Sequence, residues 1–429
     1  VEDNKLITDS KEVCNIFNDY FVNLSPFPRP ISELREKDLS THSSVQVIQN
    51  VMISETRESF NFSTVSSETL KKKLKSLKSN KASGHDKIPA KILKIGADVL
   101  CFTLLPLFNH CIIKSVFPDD FKRAEVRPIH KKCDILCKEN YRPVSVLTAC
   151  SKVLEGILCD QINLYFDGIL SPMVCAYRQK RSCANVLLKC TEDFKQALDR
   201  GEVVGCIMMD LSKAFDMIPY DLLLAKLTAY GFSSNACELV RNYLNERLQR
   251  VRIGQDTGEW LTLSKGVPQG SLTGPILFNV FINDLLLSLT NLCTVYNYAD
   301  DNTLSCSHHD PLVVKSRLED AANHALGWFS SNNMKANPSK FQALILARNN
   351  NCDITFKLSD GNTIIPSQCV KLLGVHLDDR LNFKYHLETI IKKCGKLANV
   401  LARLSHVLDR EHLKMVYNAF IVSNMNYCD

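Results

Sequence analysis

Apolar residues recur along the chain at two spacings, and the switches between them outline its elements. From Asp9 to Leu24 the residues Val13, Ile16, Phe17, Tyr20, Phe21 and Leu24 fall at helical spacing after Ser10, a residue suited to capping, so one amphipathic helix is expected. SPFPRP and the polar stretch that runs on to about Thr64 read as a linker or loosely ordered arm. A second helix starts with Ser67 as cap and carries Leu70, Leu74 and Leu77 on one face. From Leu93 to Phe117 the pattern is helical again, and Pro118 closes it. AEVRPIHKK and YRPVSVL are β-like runs on either side of a polar loop, and helices follow from about Ser151 to Phe166 and on to about Asp199.

EVVGCIMMD reads as a buried strand ending in Asp210, and YDLLLAKLTAYG as a helix between Pro219 and Gly231. RLQRVRIG and GEWLTLSKG alternate as paired strands, whereas PILFNVFINDLLLSL is apolar on nearly all sides and belongs inside the protein. In NYADDNTLS, Val295, Tyr296 and Tyr298 lead in and Thr303 and Leu304 lead out, the pattern of a β-hairpin with Asp300 and Asp301 at its tip. Beyond it come a helix from about Asp310 to Ser331, the loop NMKANPSK and the strand FQALILA. The pair ITFKLSDG and NTIIPSQCV, the run KLLGVHLD and helices from about Phe383 complete the chain.

Composition narrows this picture only a little. At 429 residues there is room for about three domains, and a hydrophobic share of 45% is that of an ordinary globular protein. A net charge of +6 permits nucleic-acid binding without demonstrating it. The 18 cysteines are scattered, and Cys133 and Cys137 lack a second pair at ligand spacing, so reduced thiols are expected rather than structural zinc. No secretory leader and no run of about eighteen apolar residues occurs, so a soluble protein without membrane partners is expected. Val1 in place of an initiating Met, and the stop at Asp429 just after YNAFIVSNMNYC, read as the ends of a fragment.

The chemistry concentrates in a few charged positions. Asp and Asn are good turn residues, which by itself accounts for Asp300 and Asp301. Asp210, at the end of another apolar run, changes that reading, because three carboxylates on neighbouring strand ends suit hard divalent cations. Asp210 also fits a helix N-cap. The lysines Lys71, Lys72, Lys73, Lys75 and Lys78 make either a solvated helix face or an edge that follows a phosphate backbone. AEVRPIHKK and YRPVSVL make either an ordinary surface hairpin or one that presents cations to an anionic ligand. Gly266, Gly270 and Gly274 in GVPQGSLTGP suit a loop that approaches a ligand closely, or plain turns.

Taken in order, NYRPVSVL, DLSKAFD, GVPQGSLTGPILF, YADD, NPSK and LLGV resemble the reverse transcriptase region of non-LTR retrotransposons of the jockey and chicken-repeat type, over about Leu70 to the C-terminus. The resemblance implies an α+β right-hand polymerase: residues 1–66 a helix and linker, 67–201 fingers, 202–379 palm with LLGV as primer grip, and 380–429 the start of a thumb. It implies RNA-directed DNA polymerisation, in which a primer 3′-hydroxyl attacks a deoxynucleoside triphosphate on a template RNA. Two Mg²⁺ ions, replaceable by Mn²⁺, would be held by Asp210 and Asp300, with Asp301 and the carbonyl of Leu211 assisting. Lys131 and Arg142 would hold the triphosphate, and Gln269 and Gly270 would pack against the nascent base pair. Phe215, five residues after Asp210, would exclude a 2′-hydroxyl unless it is a plain core residue. Lys340 would protonate the leaving pyrophosphate unless it is merely an exposed lysine. The loop departs from the family at Thr273, where an apolar residue is more usual, and NPSKF has Phe341 where a hydroxyl is usual; AYRQKRS is a loose finger motif. A non-catalytic nucleic-acid-binding remnant is the alternative function. The family suggests a ribonucleoprotein of cytoplasm and nucleus.

Overall fold

The run VVGCIMMDLS, rich in residues that fit a covered pleated surface, forms the strand Val203–Ser212, and its first five residues are all buried. It belongs to a computed structural model that describes residues 7–23, 39–53, 58–131, 133–348 and 354–428; SPFPRP and residues 31–38 and 54–57 of the polar arm lie outside these. The chain divides into two units by contact. One comprises residues 1–171, 212–287 and 328–335, and the other 172–211, 288–327 and 336–429.

In the second unit, Val203–Ser212 is flanked by Gln342–Leu346 and by Asp301–His308, with Thr294–Tyr298 beyond, every pairing antiparallel. The helix Cys183–Asp199 lays Val186, Leu187, Cys190 and Phe194 into one core with Val204, Cys206, Tyr296 and Leu344. Val370, Leu372 and Leu377, from the hairpin Cys369–Leu372 and Val375–Asp378, extend that core. The strand, expected to end in Asp210, runs on to Ser212, and it is central in its sheet, which fixes where its last residues lie. The helices Lys384–Leu404 and Arg410–Tyr417 bury none of their side chains.

In the first unit, Arg123–His130 pairs antiparallel with Tyr141–Val146 and parallel with Arg247–Ile253, which in turn pairs with Leu261–Leu263. The expected N-terminal helix is Ser10–Val22, but its cap is Asp9, whose carboxylate accepts the Glu12 N–H at 2.8 Å. Its Cys14 and Phe21 pack with Val126 and Val251, so the helix is part of this sheet's core. Likewise Ser66, not Ser67, caps the helix Ser67–Ser76.

Three expectations need correction here. The arm to Thr64 contains a helix, Ser43–Met52, that buries Val45 and Ile48; its polar residues hid its short apolar face. The span from Leu93 to Phe117 is two helices, Ala90–Ile95 and Ala97–Lys114, meeting at Gly96. SNACELVRNYL, for which no element was expected, is the helix Ser234–Leu244. The helix Thr273–Leu289 is buried as expected, with Leu277, Phe278, Phe281 and Ile282 inside. Ala97–Lys114 is long and apolar enough to cross a membrane by length and composition, though it buries Cys101, Phe108, Cys111 and Ile112 against its own unit. The cysteines among the described residues are free thiols.

Candidate active site

The turn of the carboxylate hairpin is two residues long. Tyr298 pairs with Asp301, leaving Ala299 and Asp300 between the strands, and Ala299 takes a left-handed φ of 55°. Two buried amides shape this turn: Asn297 Nδ2 donates to the Ala299 carbonyl at 2.8 Å and to Asn302 Oδ1 at 2.9 Å. Asn302 Nδ2 in turn donates to the Asp300 carbonyl at 3.2 Å. Sequence reasoning missed both asparagines, although their placement on either side of YADD, opposite one another in the hairpin, was a signal.

On the neighbouring strand, Asp210 stands directly opposite Asp301 in the last paired register. Residues opposite one another across a sheet share a face, and like charges there repel. Asp210 and Asp300 are half-buried, Asp301 is exposed, and the Leu211 side chain that follows Asp210 is buried. Asn337 N–H donates to the Asp210 carbonyl at 3.0 Å, which docks the NPSK turn on the end of this strand. That turn brings Lys340 Nζ to 2.7 Å from Asp210 Oδ2. The donor set is all oxygen and anionic, and a cation already rests on it as the Lys340 ammonium, so it fits hard divalent ions. Among the described residues no three His, Cys, Asp or Glu side chains are converged as they stand, so the carboxylates would have to turn inward to share an ion.

Lys131, Arg142, Phe215, Gln269 and Gly270 belong to the first unit, whereas Asp210, Leu211, Asp300, Asp301 and Lys340 belong to the second. Lys131 and Arg142 stand at the same end of one hairpin: Ile129 pairs with Arg142, and Lys131 N–H donates to the Asn140 carbonyl at 2.9 Å. Both side chains are exposed. Phe215 is half-buried, with its ring stacked on Phe278 at 4.6 Å between centroids.

Backbone bonds hold the glycine loop on two sides. Gly266 N–H donates to the Ile218 carbonyl at 2.9 Å, Val267 N–H to the Phe215 carbonyl at 2.8 Å, and Ser145 N–H to the Gln269 carbonyl at 2.7 Å. At Gly266 and Gly270 a Cβ would lie 2.6 Å and 2.5 Å from backbone oxygens of Asp216 and Ser145, so only glycine permits this approach. Gln269 Nε2 donates to Asp216 Oδ2 at 2.7 Å, and burial pushes the Asp216 carboxyl up to about 6. Asp216 was not singled out from the sequence. Beside it, Lys213 Nζ donates to the Tyr20 hydroxyl at 2.6 Å, and burial raises that phenol to about 12.

The lysine-rich helix is partly committed within its own unit. Lys71 and Lys75 pair with Asp98, and Lys73 with Asp160 at 2.5 Å, pairs whose carboxylates are exposed and which therefore hold the lysines only weakly.

Residues 129–377 match the family model described as reverse transcriptase (RNA-dependent DNA polymerase). Among curated proteins the chain is similar to the probable RNA-directed DNA polymerase from transposon BS of Drosophila melanogaster, 27% identical over 76% of this chain and 37% of that protein. The RNA-directed DNA polymerase from mobile element jockey of the same fly is 25% identical over 76% of this chain and 37% of its own length. The Pol polyprotein from type-1 retrotransposable element R1 of Bradysia coprophila is 25% identical over 82% of this chain and 35% of its own length. The chain thus spans well under half the length of these relatives.

Proposed function

The chain belongs to the reverse transcriptase (RNA-dependent DNA polymerase) family, and from that premise we propose that it is the polymerase portion of a non-LTR retrotransposon protein. In this reading it extends a DNA primer on an RNA template from deoxynucleoside triphosphates. The observation that carries the reading is the cross-strand register that sets Asp210 opposite Asp301, with Asp300 on the adjoining turn. A fold that only bound nucleic acid would gain nothing from two anions facing each other across a central strand pair.

Reverse transcriptases generally use divalent metals. Here Asp210 and Asp300 would hold two Mg²⁺ ions, with Asp301 and the Leu211 carbonyl as further oxygen donors. Bound there, they supply acidification of the primer hydroxyl and neutralisation of charge growing on the phosphoryl oxygens. The protein's own residues do the rest. Lys131 and Arg142 bind the triphosphate, the guanidinium being suited to paired phosphate oxygens. Phe215, braced by Phe278, blocks the space a 2′-hydroxyl would need. Lys340 releases Asp210 and protonates the departing pyrophosphate. Residues 67–201, 202–379 and 380–429 serve as fingers, palm and the first part of a thumb.

The test is primer extension on an RNA template with Mg²⁺ and deoxynucleotides, comparing the chain with its Asp300→Asn variant after both are shown to be folded. Extension by the first and none by the second is expected. Equal extension by both would remove the hairpin from the chemistry.

A further inference from the structure

We infer that Asp216 is a positioning residue for nucleotide binding: its carboxylate fixes the orientation of the Gln269 amide and so decides which group that amide offers to the incoming nucleotide. The inference rests on the polymerase reading, and in particular on Gln269 facing the substrate.

The geometry that carries it lies wholly within one unit. The loop backbone from Gly266 to Gln269 is pinned by hydrogen bonds with Ile218, Phe215 and Ser145, so the Gln269 side chain is the part left to be oriented. A carboxylate can only accept hydrogen bonds. Asp216 Oδ2 at 2.7 Å therefore requires the NH₂ end of Gln269 to face it, which leaves the amide carbonyl oxygen for a donor elsewhere. Gln269 and Asp216 line a pocket together with Phe21, Val22, Pro143 and Lys265, so such a donor has a place to come from. With both partners fixed, the pocket offers a nucleotide an acceptor rather than a rotating amide. An amide fixed before binding loses less freedom when the ligand arrives.

The same atoms explain why an aspartate is needed rather than an asparagine. Asn could turn either its oxygen or its nitrogen to Gln269, allowing the two amides to flip together and present the wrong polarity. Asp cannot.

The experiment is a double-mutant cycle with Asp216→Ala, Gln269→Ala and the combination, read as kcat and KM for a deoxynucleotide in primer extension, with Asp216→Asn as a fourth variant. Where turnover is too slow to read, equilibrium binding of the deoxynucleotide to the chain–primer–template complex in Ca²⁺ replaces KM. A hydrogen bond to a charged partner predicts that Asp216→Ala raises KM by about tenfold or more while kcat changes less. The double variant should then be no worse than Gln269→Ala alone, and Asp216→Asn should also raise KM although it keeps the shape of the site. Losses that multiply in the double variant would show Asp216 acting independently of Gln269, and so overturn the inference while leaving the polymerase reading intact. An unchanged KM in Gln269→Ala, or no nucleotide binding by the unaltered complex, would overturn the reading on which it rests.

Discussion

Replacing Asp216 by Asn is expected to stabilise the folded chain at pH 8, and to do so less and less as the pH falls. Burial is the largest influence on this carboxyl and raises it to about 6, while the Gln269 hydrogen bond and the Lys213 charge pull the other way without offsetting it. A group raised by folding favours the folded state in its protonated form. Its contribution is therefore fully present below the unfolded value of about 3.9 and is lost as pH rises through about 6. That interval corresponds to about 3 kcal/mol. It is an upper bound, because Asp216 is half-buried and water screens part of its charge. Asn has the same shape, can still accept from Gln269 Nε2 and carries no charge to desolvate. The urea midpoint of the variant should thus lie above that of the unaltered chain at pH 8, keep about half of that advantage at pH 5, and merge with it below about pH 4. Midpoints that coincide at pH 8, or an advantage that persists undiminished to pH 4, would refute the reasoning. A variant that is more stable and yet binds nucleotide less well would show that the carboxylate is held at a cost to folding.

Phe215→Val should raise ribonucleotide incorporation, since it removes the ring that stacks on Phe278; unchanged sugar discrimination, measured by paired extension with the two nucleotide types, would return Phe215 to a core role. Lys340→Met should slow extension while leaving thermal stability within about 1 kcal/mol, because its partner Asp210 is only half-buried and an exposed pair contributes little; unfolding of the variant would make Lys340 structural instead. Ala299→Gly should be neutral or stabilising by about 1 kcal/mol in chemical denaturation, since it relieves a left-handed φ of 55°; marked destabilisation would mean that the alanine methyl packs usefully in the turn.

Strand ends and caps were legible in the sequence to different degrees, for reasons that follow from how each is specified. The strand through Asp210 and the hairpin through Asp300 announce themselves because a buried run and an alternating run each have a period of their own. The helix Ser43–Met52 does not, because only Ser44, Val45 and Ile48 are buried and the intervening residues read as loop. The pairing of Asp216 with Gln269 spans 53 positions in sequence. No local pattern encodes such a contact, which depends on Gly266 and Gly270 letting the loop backbone press against Asp216 and Ser145. The ion pairs of the lysines of Ser67–Ser76 are hidden for the same reason: Asp98 and Asp160, which pair with three of them, are distant in sequence and close in space.

The carboxylate strands carry their own argument about purpose. Asp210 and Asp301 face each other across adjacent strands, an arrangement that destabilises a sheet by repulsion and is relieved here by the Lys340 ammonium on Asp210. The turn that holds Asp300 adds a second cost in the backbone of Ala299, met by the buried amides of Asn297 and Asn302. Either cost alone could be incidental to a tight turn. Together they concentrate anions at the ends of two central strands, where buried amides shape the turn that carries Asp300. A half-exposed lysine on Asp210 is the kind of neutralisation that a stronger cation can displace, which is why the register of Asp210 against Asp301 carries the polymerase reading proposed above.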